Sequence, residues 1–194
     1  MADFDAAYYR RFYGSAKTRV QGPREVARLA ELVTRLVDHA GGRVTNVLDI
    51  GAGTGLWRDW FRRHAPGVRY RSTDVSAYAC ERYGHERRDI AVWRARERFD
   101  LIVCQGVLPY LDGARASAAI ENIAAMCRGF LYLEAITKGD LGTVCDLGLT
   151  DLRIHRRSAA WYRKRLGAHF AMLGAGVWIR RGSGHHLYEL ERGP

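Results

Sequence analysis

Val47-Leu48-Asp49-Ile50-Gly51-Ala52-Gly53-Thr54-Gly55 is the stretch on which the fold turns. The run from Val44 to Ile50 is apolar and β-branched, as a strand buried in a parallel sheet requires. It feeds into a glycine turn and then into Leu56–His64, where Leu56, Trp57, Trp60 and Phe61 fall on one side of a helix. Glycine permits positive φ and close approach of a ligand to the backbone. The start of a helix offers N–H groups without intrahelical partners. A nucleotide-like ligand at the carboxyl end of the first strand fits this geometry.

The same alternation extends in both directions. Upstream, Pro23 opens a helix that carries Val26, Leu29, Ala30, Val33, Leu36, Val37 and Ala40 at helical spacing, and Gly41-Gly42 close it. Downstream, Val68 to Val75 reads as a strand and Ser76 as the N-cap of a helix through Tyr83. Arg87 to Val92 is a weak strand or turn, Phe99 to Val107 a strong strand, Ala114 to Cys127 a helix and Gly129 to Ile136 another strand. Strands alternating with helices predict a parallel sheet with crossover helices. Thr137 to Arg157 is polar and irregular, and loops of that length usually carry function. After a short helix from Ser158 to Gly167, His169 to Ile179 and His185 to Glu191 read as two strands. Arg180-Arg181-Gly182-Ser183-Gly184 is their expected hairpin turn.

A length of 194 residues with 47% hydrophobic content predicts one domain over residues 1–194. Disorder is excluded as the main state. The chain has no run of about 18 apolar residues, which excludes a membrane-spanning helix. The opening MADFDAAYYRRFYG lacks the apolar core of a secretory signal, so the expected location is cytoplasmic, with reduced thiols. The net charge is +10, and 28 of the 31 cations are arginines scattered from Arg10 to Arg192. Such scatter reads as a solvated basic surface more readily than as a nucleic-acid face. Cys80, Cys104, Cys127 and Cys145 show no Cys-x-x-Cys spacing for zinc or redox chemistry.

Spacing decides which ligand the glycine turn suits. A dinucleotide fingerprint needs G-x-G-x-x-G. Here Leu56 stands where the third glycine belongs, and Asp49 precedes the first. A carboxylate there repels a pyrophosphate and suits an α-amino group. The arrangement resembles motif I of class I S-adenosylmethionine-dependent methyltransferases. Ser72-Thr73-Asp74-Val75 places a carboxylate 19 residues after Gly55, where that family takes both ribose hydroxyls. Two acceptor oxygens match a cis diol. Arg88-Asp89-Ile90 resembles the family's acidic-plus-apolar pair at the adenine. Val103-Cys104-Gln105-Gly106-Val107-Leu108-Pro109-Tyr110 resembles motif IV, beside the methyl donor.

The resemblance implies S-adenosylmethionine as cofactor and an α/β fold. That fold is a Rossmann-like three-layer αβα sandwich with a seven-stranded, mostly parallel sheet and an antiparallel last strand. It also implies that Asp49, Gly51, Ala52, Gly53, Gly55, Asp74, Val75, Asp89, Ile90, Gln105 and Gly106 bind the cofactor. In this chemistry the enzyme aligns the reacting atoms and excludes water, and a base is needed only when the nucleophile must lose a proton. Family members that methylate nucleobase amino groups carry Asp/Asn-Pro-Pro-Tyr/Phe in motif IV, and Gln105-Gly106-Val107-Leu108 departs from that. The departure favours a small-molecule acceptor, natural products included, over nucleic acid.

Acceptor choice is expected to rest on Met1–Gly22 as a lid and Thr137–Arg157 as a substrate loop. Tyr9, Tyr13 and Tyr110 are the candidate substrate contacts, and Glu134 and His155 the candidate bases. No metal is expected: His185 and His186 would face opposite sides of a strand, and Asp140 and Asp146 lack a matching ligand set. Two other readings are a non-catalytic S-adenosylmethionine-binding protein and an RNA-modifying methyltransferase. Asp74→Ala should weaken donor binding severely, because the diol loses its bidentate acceptor. Unchanged donor affinity in titration calorimetry would sink the assignment.

Overall fold

The computed structural model describes residues 4–19, 21–185, 188 and 189. Seven strands form one sheet in the order β3-β2-β1-β4-β5-β7-β6. They are β1 (Asn46–Ile50), β2 (Arg69–Asp74), β3 (Glu86–Arg87), β4 (Phe99–Gln105), β5 (Cys127–Glu134), β6 (Phe170–Gly174) and β7 (Val177–Arg180). The strands from β1 to β5 pair in parallel, and β7 runs antiparallel to both β5 and β6. The Rossmann-like sheet expected from the sequence is therefore present, with its antiparallel last strand. Strand order reverses between β1 and β4, and ligands of open α/β sheets bind above such a switch point.

Period-two alternation assigns each strand residue to a layer. Leu48, Ile50, Ile102, Cys104, Leu131 and Leu133 face α5 (Gly113–Met126) and α7 (Ala159–Gly167), meeting Ile120, Ile123 and Tyr162. Val47, Leu101, Val103, Phe130 and Tyr132 face α2 (Pro23–His39) and α3 (Leu56–His64), meeting Ala30, Val33, Trp57 and Phe61. Local chemistry sets the helix ends. Ahead of α2, Glu25 Oε2 accepts from the Gly22 N–H at 2.9 Å, and Pro23 sits in the first turn. Ser76 accepts from the Ala79 N–H at the start of α4 (Ala77–Tyr83), and Asp112 accepts from Arg115 N–H at the start of α5. Each such cap contributes about 1 kcal/mol.

One carboxylate aligns the amino ends of the central strands. Asp100 Oδ2 accepts from Thr45 N (2.8 Å), Thr45 Oγ1 (2.6 Å) and Asn46 N (3.0 Å), and Oδ1 takes Arg128 Nε at 2.6 Å.

Two expectations need correction. The hairpin turns at Ala175–Gly176, not at Arg180–Gly184: β6 and β7 are the two halves of the run read as one strand. Ala175 (φ +47°) and Gly176 (φ +77°) both take positive φ, as a two-residue hairpin loop demands. An alanine in that conformation hid the turn within an apolar run. Thr137–Arg157 is not wholly irregular, because Lys138–Thr143 form helix α6 under a Thr137–Asp140 capping box. Of the two readings offered for Arg87 to Val92, strand or turn, the turn prevails: the strand is only Glu86–Arg87 and residues 90–92 form a turn. The expected strand at His185–Glu191 falls largely outside the described residues.

Asp49 alternates with Leu48 and Ile50, and so faces the α3 layer. It is 2% exposed and accepts a hydrogen bond from Tyr70 OH at 2.8 Å. Burial pushes its pKa up to about 7; the Tyr70 bond opposes that and the Asp74 charge adds to it. The folded state thus keeps a proton that the unfolded chain, near 3.8, has released. The contribution of Asp49 to stability falls as pH climbs through that window and is lowest above about 7. Asp49→Asn keeps an acceptor for Tyr70 and removes the titration. The variant should gain on the wild type in thermal unfolding as pH rises through the window, by on the order of 2–4 kcal/mol at its upper end. A difference independent of pH would refute this reading.

Candidate active site

A cleft of about 320 Å³ opens over the carboxyl ends of the strands, from the β2–β3 edge across β1 to β4. Its floor is Ile50, Gly51 and Gly53 after β1, Asp74 and Val75 after β2, and Gln105, Gly106 and Val107 after β4. Arg88, Asp89 and Ile90 after β3 line it as well, as do Tyr110, Leu111 and His155. Its size and its mixture of apolar walls with a few polar groups are those of a small-molecule site.

The floor contains space that no side chain fills. Gly53 has φ +57°, and a Cβ built there meets only the Gly51 carbonyl oxygen, at 3.9 Å. Gly106 has φ +70°, and its Cβ would meet no atom within 4 Å. Any other residue at either position would be strained and would intrude on the cleft. The turn itself hangs on β2, because Gly51 N and Ala52 N both donate to the Thr73 carbonyl, at 2.8 and 3.0 Å.

Asp74 organises the centre. Its Oδ2 accepts from Gly53 N at 2.9 Å and its Oδ1 from Ser76 N at 2.8 Å. Each oxygen keeps a second lone pair, so a diol with two O–H donors can still be accepted. Asp89 pairs with the Arg115 guanidinium, and its Oδ1 accepts from Ala91 N at 3.0 Å. Ile90, 5% exposed, supplies an apolar wall beside it. A cleft with an open glycine floor, a bidentate carboxylate and an acid-plus-apolar end fits an adenosyl amino acid.

Helix α1 (Ala6–Tyr13) roofs the cleft and is held on both sides. On the β2 side, Ser76 Oγ donates to the Phe4 carbonyl, and Tyr9 packs against Tyr78 at 5.4 Å between centroids. On the β4 side, Tyr8 OH and Tyr110 OH lie 3.1 Å apart, and Phe4 meets the Tyr110 ring edge-on at 4.9 Å. Tyr110 OH also donates to Asp151 Oδ2 at 3.3 Å. Burial raises the Tyr8, Tyr9, Tyr13 and Tyr110 hydroxyls well above the ordinary phenol range, so all stay protonated. Tyr13 is 40% exposed, yet its hydroxyl end is desolvated, which is the part that titrates. Burial pulls Asp151 upward, but the Arg153 guanidinium, with two bonds of 3.0 Å, holds it below the usual carboxylate range.

Arg157 braces this end. It is 8% exposed, and its partners are the Leu108 carbonyl (3.1 Å), the Leu111 carbonyl and Tyr162 OH. The guanidinium also stands 4.8 Å from the Trp161 ring. It thereby satisfies carbonyls of the 3-10 turn Leu108–Tyr110 that aims Tyr110.

Of the residues expected from the sequence, the structure gathers Gly51, Gly53, Asp74, Val75, Asp89, Ile90, Gln105, Gly106, Tyr9, Tyr13, Tyr110 and His155 around one cleft. Asp49, Ala52, Gly55 and Glu134 are not among its lining residues. Gly55 is the N-cap of α3. Glu134 Oε2 accepts from Tyr132 OH (3.0 Å), Gln105 Nε2 (3.2 Å) and Gln21 Nε2 (3.3 Å), tying β4 and β5 to the chain ahead of α2. Sequence reading missed Phe4, Tyr8, Arg88, Arg115 and Asp151. The aromatic run through Tyr8 was a signal for one of them; the others needed the fold.

The sequence family described as "Methyltransferase domain" matches residues 20–183. No curated protein matches the sequence. Among solved structures, the plantazolicin methyltransferase BpumL in complex with SAH is similar, with a TM-score of 0.58 and 12% identity. That match covers 75% of this chain, which spans 63% of the BpumL chain. The N-methyltransferase NodS from Bradyrhizobium japonicum WM9, also with SAH, aligns with a TM-score of 0.57, 23% identity and coverage of 84% and 90%. A methyltransferase from Clostridium acetobutylicum ATCC 824, described as S-adenosylmethionine-dependent, aligns at 0.63 with 11% identity, covering 90% and 96%. These identities speak for the fold, and the family match speaks for descent. Residues 20–183 carry the methyltransferase domain, and the chain belongs to the class I S-adenosylmethionine-dependent methyltransferases.

Proposed function

We propose that the protein methylates a small, ring-bearing, uncharged or cationic acceptor, natural products included, by direct displacement. The observation that carries this is the composition of the cleft lining. Phe4, Tyr8, Tyr13 and Tyr110 surround it with rings and neutral hydroxyls. Among the described arginines only Arg88 and Arg115 line the cleft, and each has a carboxylate partner: Glu86 at 3.6 Å for Arg88, and Asp89 for Arg115. An anionic acceptor would find no free guanidinium there, whereas an aromatic or cationic one meets π faces. A net charge of +10 favours the RNA-modifying reading, but that charge lies mostly away from the cleft.

When bound, S-adenosylmethionine supplies an already activated methyl group on its sulfonium. Gly51, Gly53 and Gly106 would hold its amino-acid end, Asp74 its ribose hydroxyls, and Asp89 with Ile90 its adenine. The chain's own task is then alignment and the exclusion of water. Tyr9 roofs the floor from above, and the Tyr8–Tyr110 pair offers hydroxyls that orient an acceptor without ionising. An amine acceptor needs no base at the moment of attack. A hydroxyl acceptor must lose its proton, and His155, on the cleft wall, is the lining side chain whose ring nitrogen can accept it.

Incubation with S-adenosylmethionine and a panel of acceptors tests the proposal. S-adenosylhomocysteine should form with neutral or cationic aromatic amines or phenols. Turnover confined to RNA, falling steeply with salt, would replace this reading with the RNA-modifying one. No turnover despite tight donor binding would leave a donor-binding protein. Tyr110→Phe keeps the ring against Phe4 and removes the hydroxyl. It should raise the acceptor KM about 5- to 30-fold and leave S-adenosylhomocysteine affinity within about twofold. An equal loss on the donor side would place Tyr110 elsewhere in the chemistry.

A further inference from the structure

Two bonds meet at Gly53. Its N–H goes to Asp74, as described, and its carbonyl oxygen lies 3.0 Å from His85 Nε2. His85 is 7% exposed, and its Nδ1 lies 2.9 Å from Ser72 Oγ on β2. A carbonyl only accepts, so Nε2 carries the hydrogen; Nδ1 of the neutral ring then accepts from the Ser72 hydroxyl. Burial holds the His85 pKa below its ordinary value, which keeps the ring neutral. His85 follows Gly84, the left-handed C-cap of α4, and precedes β3, so two regular elements fix its backbone.

The consequence falls on the glycine turn. The Asp74 bond fixes the peptide plane before the Gly53 Cα, and the His85 bond fixes the plane after it. Glycine has more backbone freedom to lose than any other residue. A turn whose two planes are already held presents one shape to a ligand, and the ordering cost is met on folding instead of on binding.

We propose that His85 is a positioning residue for donor binding: by holding the Gly53 carbonyl it keeps the open floor of the cleft in the orientation an adenosyl amino acid needs. This inference rests on the donor reading of the cleft. His85 is not among the residues lining the cleft, and it acts through the backbone of Gly53.

Two near-isosteres separate this role from simple packing. In His85→Gln the side-chain amide nitrogen reaches toward the Nε2 position and can still donate to Gly53. In His85→Asn the shorter amide reaches the Nδ1 position and serves Ser72 alone. Calorimetric titration with S-adenosylhomocysteine, alongside thermal unfolding of each variant, is the measurement. The wild type should bind, His85→Asn should bind about tenfold or more weakly, and His85→Gln should stay within about threefold of wild type. Equal losses in the two variants, or affinities that simply follow their unfolding temperatures, would overturn the positioning role. So would wild-type affinity in His85→Asn. A wild type that fails to bind S-adenosylhomocysteine would instead overturn the donor reading itself, before any substitution is considered.

Discussion

Asp74 accepts the Gly53 N–H through one carboxylate oxygen and the Ser76 N–H through the other, and the site is arranged around those two bonds. They join the turn after β1 to the start of α4 across the strand between them. The first holds a glycine at positive φ with open space above it. The second begins the helix whose Tyr78 supports the roof through Tyr9. A single side chain thus sets the floor, one wall and a support of the cover. Asp49 stands beneath the same turn, buried and bonded to Tyr70, and the Asp74 charge adds to the cost of ionising it. The neutral form of Asp49 relieves that cost.

Much of this was legible in the sequence, for a physical reason. Buried strands and amphipathic helices carry their period in the chain itself. The helix from Leu56 to about His64 and the Ser76 cap were both legible, because both signals are local. The order of Asp49, the glycines, Asp74, Asp89 and Gln105 carried the cofactor reading, since parallel strands bring their carboxyl ends to one edge whatever lies between them. Cys104 and Cys127, which lack Cys-x-x-Cys spacing, are each fully buried in the core.

What was not legible depends on partners far apart in the chain. Glu134, a candidate base from the sequence, collects three donors, one from Gln21, more than a hundred residues earlier. Arg115 and Arg157 are two arginines among 28, and only the fold shows that one meets Asp89 and the other braces the turn bearing Tyr110. The hairpin escaped notice because Ala175 takes a backbone conformation that its residue type disfavours. The Gly-Ser-Gly that drew attention lies beyond β7.

The Asp100 cluster lies at the end of the sheet remote from the cleft. It gathers Thr45, Asn46 and Arg128, and so pins the registration of β1, β4 and β5 from below. At that end, alignment of the strands does not depend on the residues that face a ligand. Val75, Tyr110 or His155 can be exchanged during divergence without disturbing how the scaffold assembles. Recognition and foldability occupy opposite rims of one sheet, and a lineage can retune the first while inheriting the second.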